Sequence, residues 1–140
     1  MKAITTFVFF ILCIATYAQK MEFKTSKDRR TKETSTIVYS IDLDAKTIKI
    51  KFDDGKKEEY KIIDIDILKN EEDEELFPNG ITYTEYSFEC AEKSKDIYEM
   101  QQELQYLTII IPNSDRFYGV LRARNHYRNT GDSYDVERTK

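Results

Sequence analysis

Side chains that alternate between apolar and polar along most of the chain restrict it to β-structure, because successive residues of a strand point to opposite faces of a sheet. Ile37, Tyr39, Ile41 and Leu43 share one face while Val38, Ser40 and Asp42 share the other. Ile48, Ile50 and Phe52 repeat the pattern against Thr47, Lys49 and Lys51. Between these runs Asp44-Ala45-Lys46 reads as a hairpin turn. Asp53-Asp54-Gly55-Lys56 reads as the next, since glycine supplies the positive φ of a tight connection.

The third run, Tyr60 to Leu68, changes phase. Tyr60 and Ile62 fall on one face, but Ile63, Ile65 and Ile67 fall on the other. One extra residue near Ile62-Ile63 keeps both sets inward, so the spacing predicts a β-bulge there. The acidic stretch Asn70 to Glu75 is expected to close this strand, and Phe77-Pro78-Asn79-Gly80 to turn into the next. From Ile81 to Ala91 alternation places Tyr86, Phe88 and Cys90 together. Pro112-Asn113-Ser114-Asp115 precedes a last run, Phe117 to Tyr127.

Residues 96–107 admit two readings. Asp96 and Glu99 form a capping-box pattern, with Ile97, Met100, Leu104 and Leu107 on one helical face. The β-branched run Leu107 to Ile111 favours a hairpin turning near Gln101-Gln102-Glu103 instead. No repeat of twenty to fifty residues is present, which excludes solenoids and propellers. The expected fold is mainly β: a single antiparallel meander of six or seven short strands forming a small barrel or two-layer sandwich, with a short helix near 96–107 as the alternative to a hairpin.

The chain begins with Lys2, an unbroken apolar run Phe7 to Ile14, and small residues at Thr16 and Ala18. This is the pattern of a secretory signal peptide over residues 1–18, with cleavage expected near Ala18 and a secreted or periplasmic destination. The apolar segment is too short to span a bilayer comfortably, so no integral membrane segment is expected after cleavage. Ile11 and Leu12 are too bulky for Cys13 to be a lipid-attachment site. No Asn-x-Ser/Thr acceptor occurs, as suits a bacterial exported protein.

Organisation follows as signal peptide 1–18, polar N-terminal segment 19–35, antiparallel β domain 36–128 and polar flexible tail 129–140. Removing residues 1–18 takes away one lysine and no acid, leaving 21 basic against 26 acidic residues, a formal charge of about −5. That balance, with the run Glu71 to Glu75, opposes nucleic-acid binding.

Cys90 is then the one remaining thiol and no internal disulfide can form. Its strand face, shared with Tyr86 and Phe88, predicts a packed, inert sulfur rather than a nucleophile served by His126. With a single histidine, a histidine-rich zinc site is impossible. The pairs Asp42/Asp44, Asp53/Asp54 and Asp64/Asp66 lack the spacing of a calcium loop, so no metal and no cofactor is expected. Ten tyrosines without tryptophan suit ligand stacking. Tyr39, Tyr60, Tyr86 and Tyr118, however, lie inside strand patterns where packing is the expected role.

The most specific pattern is basic: Arg122, Arg124, His126 and Arg128 recur at every second position and project from one strand face. Such a row needs acidic partners, either a neighbouring strand carrying Glu85, Ser87 and Glu89 or an external carboxylate or phosphate. The expected function is a non-enzymatic exported binding module that takes a partner protein or a small anionic ligand through this sheet face. One alternative is a small hydrolase of carbohydrate or cell-wall material, with two close carboxylates or Cys90 and His126 in a cleft. Another is a structural or inhibitory surface protein that offers an edge strand.

Overall fold

Inward-facing side chains of eight strands meet across a closed antiparallel barrel in the computed structural model, which describes residues 19–92, 104–125 and 131–140. In chain order the strands are β1 (Lys20–Asp28), β2 (Val38–Asp42), β3 (Thr47–Lys51), β4 (Lys57–Glu72), β5 (Thr82–Glu92), β6 (Gln105–Pro112), β7 (Gly119–Asn125) and β8 (Gly131–Arg138). Each pairs with its sequence neighbours, and β1 pairs with β8 to close the ring. The meander expected from the sequence is therefore present, as a barrel rather than a sandwich.

Strand number is the correction. Six or seven strands within 36–128 become eight, because both polar flanks contribute one. In β1, Met21, Phe23 and Thr25 alternate with Lys20, Glu22 and Lys24, and Phe23 is completely buried. The hydroxyl of Thr25 donates to the Ser35 carbonyl at 3.1 Å and accepts the Ile37 amide at 2.8 Å, which satisfies the polar group that burial would otherwise penalise. In β8, Val136 is completely buried and Tyr134 packs against the core. The tail is thus a structural strand.

Opposed residues of an antiparallel pair share a face, so the register shows how the interior is built. Tyr39 lies opposite Ile50, Phe88 opposite Leu107 and Ile109 opposite Leu121, and all but the partly buried Ile50 belong to the buried core. The predicted bulge is present: pairing of β4 with β5 shifts between Ile62 and Asp64, and Ile62 and Ile65 then lie opposite Cys90 and Phe88, but Ile63, expected inward with them, is the extra residue and is 51% exposed. Both turns read from the sequence are also present, with Lys46 and Gly55 at positive φ (52° and 85°).

Strand lengths are unequal. β4 has 16 residues but its partner β3 only 5, and their pairing ends at Lys61. Beyond the contact of the Ile62 amide with the Lys46 carbonyl (2.8 Å), β4 is bonded through β5 alone among the described residues. The strand also continues past Leu68, where the acidic stretch was expected to end it. The connection 73–81 then folds back on the outer wall, where Phe77 covers Tyr83, Ile110 and Val120 as a second apolar cluster. Gly119 begins β7 because a Cβ there would stand 2.5 Å from the Ile110 carbonyl oxygen.

The residues 96–103 on which the helix and hairpin readings divide lie outside the described residues; Gln105 onward is strand. No described helix is long and apolar enough to cross a membrane.

Candidate functional site

An eight-stranded barrel has an interior just wide enough to be filled by side chains or to hold one small ligand. Here the core fills most of it, but a cavity of about 160 Å³ remains near the end where β3 meets β4. Its polar lining comes from Tyr39 of β2, Glu58 and Tyr60 of β4, Gln105 of β6, and Asp132 and Tyr134 of β8. Alternation places these groups: each lies two residues along its strand from a core or cavity-wall residue, as Tyr39 does from Ile41 and Tyr60 from Ile62.

Two of the tyrosines differ in how their hydroxyls are held. Tyr60 donates to Glu58 Oε2 at 2.7 Å, and Lys56 Nζ lies 2.9 Å from Glu58 Oε1. Burial alone would raise the Glu58 carboxyl, but these two donors outweigh it and hold it below the ordinary carboxylate value. Tyr39 is only 3% exposed, yet its hydroxyl has no hydrogen-bond partner among the described residues. No buried side-chain oxygen or nitrogen among the described residues lacks a partner, so this hydroxyl is not sealed in the core: it opens onto the cavity, where it can both donate and accept.

Burial raises the phenols of Tyr39 and Tyr60 far above the ordinary tyrosine value; Tyr134, Asp132 and Glu58 add to the first, and the Glu58 hydrogen bond to the second. A raised folded-state value means that stability is intact below the unfolded value near 10 and is lost as pH rises beyond it. Alkaline titration is expected to show a set of tyrosines that ionise only as circular dichroism reports unfolding. Ionisation of every tyrosine near pH 10 with the spectrum intact would contradict this burial.

Cys90 is where the sequence placed it, 3% exposed on the inner face, and its Sγ lies 3.5 Å from the Gln105 carbonyl oxygen as donor. Burial, with Glu89 adding, pushes its thiol up to about 12, the wrong direction for a nucleophile. No group of three or more potential ligands among the described residues is arranged to hold a metal.

The basic row is placed differently from the cavity. Arg122 and Arg124 project from the outer wall of β7, while His126 and Arg128 lie outside the described residues. Arg122 stands between Thr108 of β6 and Ser133 of β8. Arg124 stands between Tyr106 and Gly131, its guanidinium 5.6 Å from the centre of the Tyr106 ring. The acidic strand expected beside them is not adjacent: Glu85, Ser87 and Glu89 are on β5, and all of β6 intervenes. Among the described residues, stacking on an aromatic ring rather than ion pairing is what holds Arg124.

Sequence reasoning took Tyr39 and Tyr60 as packing residues, which describes their rings but not their hydroxyls. Glu58, Gln105, Asp132 and Tyr134 were missed. Their common signal is position at the polar end of an inward-facing series, legible only once β8 is known to be a strand. Tyr118, also read as a packed strand residue, is 57% exposed just ahead of β7. Comparison with protein-family models, with curated proteins and with solved structures yields no match for this chain.

Proposed function

We propose that this chain is an exported, non-enzymatic binding barrel that holds a small hydrogen-bonding molecule at the mouth of its interior, between Tyr39, Tyr60 and Tyr134. The observation that carries this reading is the Tyr39 hydroxyl, which reaches the wall of the cavity from a residue only 3% exposed and makes no hydrogen bond to another described residue. Aromatic faces with polar tips give such a site apolar contact and directional contact together.

The chemistry of the wall favours binding over turnover. Glu58 is engaged by Tyr60 and Lys56 and its carboxyl is lowered, whereas a general acid needs a raised one. Its carboxylate and that of Asp132 face the cavity, so a neutral or amine-bearing molecule suits this wall better than the anion first expected from the arginine row. Export rests on the pattern of residues 1–18.

A set of small phenols, amides and amines screened by ligand-observed NMR tests the proposal. A bound compound is expected to lose roughly five- to tenfold in affinity in Tyr39→Phe, the effect of about 1 kcal/mol from one hydrogen bond. The ring is kept, so the melting temperature is expected to hold. Equal affinity for wild type and Tyr39→Phe, or no binding by any of the set, would remove the proposal.

A further inference from the structure

Closure of a barrel removes sheet edges, but here the unequal strands restore one. From Ile63 to Glu72 the side of β4 that faces away from β5 has no strand partner among the described residues, since β3 ends at the register of Lys61. Unmatched backbone donors and acceptors along such an edge are a template for a further strand.

The side chains around this edge specify what fits. On the inner face, Ile65 and Ile67 lie opposite Phe88 and Tyr86, yet Ile65 is 37% exposed because no β3 residue reaches it; Ile63 and Leu68 are exposed as well. On the outer face, Asp64 lies opposite Glu89 and Asp66 opposite Ser87, with Glu85 one pair further along. Ser87 Oγ donates to Glu85 at 3.1 Å, but no described cation lies within ion-pair distance of Asp64, Asp66, Glu85 or Glu89.

We propose that the open edge of β4 over residues 63–72 receives an extended segment of a partner protein in which basic and apolar residues alternate. Its backbone continues the sheet, its apolar side chains cover Ile65 and Ile67, and its lysines or arginines face Asp64, Asp66 and Glu89. A second copy of this chain is the poorer occupant. Two such edges would bring aspartates toward aspartates, and charges on an edge are how sheets resist joining their own kind.

The test uses the mature chain, labelled with nitrogen-15, and a short synthetic peptide that alternates lysine and valine. Saturating peptide is expected to slow hydrogen exchange of backbone amides within 63–72 and to leave those of β2 and β8 unchanged. The double variant D64K/D66K, altered only at exposed positions, is expected to bind this peptide at least about tenfold more weakly and to prefer a peptide alternating glutamate and valine.

A third peptide with the lysines gathered in one block separates strand addition from simple charge attraction. Equal binding of the blocked and alternating peptides would overturn the proposal. So would unchanged exchange at 63–72, or protection of that edge by dimerisation of the protein alone in sedimentation.

Discussion

Deleting residues 131–140 is expected to abolish cooperative folding of the barrel. β8 is bonded on one side to β7, from Gly119 opposite Val136 to Arg124 opposite Gly131, and on the other to β1, from Phe23 opposite Arg138 to Asp28 opposite Tyr134. Its loss therefore opens two edges at once and exposes the core around Val136, which is completely buried. The total stability of a domain this size is roughly 5–15 kcal/mol, and losing two ladders with their core contacts exceeds it. A truncated chain is expected to give a collapsed proton NMR spectrum and no sharp thermal transition. A sharp transition near the wild-type temperature would show the last strand to be an accessory.

The second large effect belongs to the other end. Phe23→Ala is expected to cost roughly 3–5 kcal/mol, because the ring is completely buried, packs tilted against Tyr86 at 5.9 Å between centroids, and leaves a void that strands cannot collapse to fill. Urea unfolding is expected to show a lower midpoint with an unchanged slope. Tyr118→Ala, at a side chain 57% exposed, is the matched control and is expected to shift stability by no more than about 0.5 kcal/mol. Equal effects of the two substitutions would mean that β1 is not part of the core.

These two experiments act on the parts of the barrel that alternation in the sequence left out, and the reason is physical. Periodicity is legible where three or more apolar residues recur, as in Ile37, Tyr39 and Ile41 or in Tyr86, Phe88 and Cys90. In β1 the inward series is Met21, Phe23 and then Thr25, a polar residue whose hydroxyl is satisfied by Ser35 and Ile37 contacts made only after folding. In β8 it is Tyr134 and Val136 within GDSYDVER, where charge hides the period. Closure makes both strands worthwhile, because each gains two ladders for one short segment.

The residues that line the cavity were obscured by a related effect. A row such as Arg122 and Arg124 is conspicuous because the like residues are adjacent in one strand, yet alternation carried both to the convex wall. The cavity instead collects Tyr39, Glu58, Gln105, Asp132 and Tyr134 from four strands, and no spacing in the chain announces that meeting. The phase change at Ile62-Ile63 was legible because it lies within a single strand, and the bulge is where it was expected.

The pairing of β1 with β8 also sets an order of events. Glu22 exchanges backbone bonds with Thr139 and Lys140, so the two extremities of the folded chain lie side by side. A polypeptide emerging from a ribosome amino end first cannot complete this ring until β8 is free to pair with β1. Long-range closure of this kind is slow, so the chain stays open, with its two terminal strands apart, for longer than a fold of local contacts would.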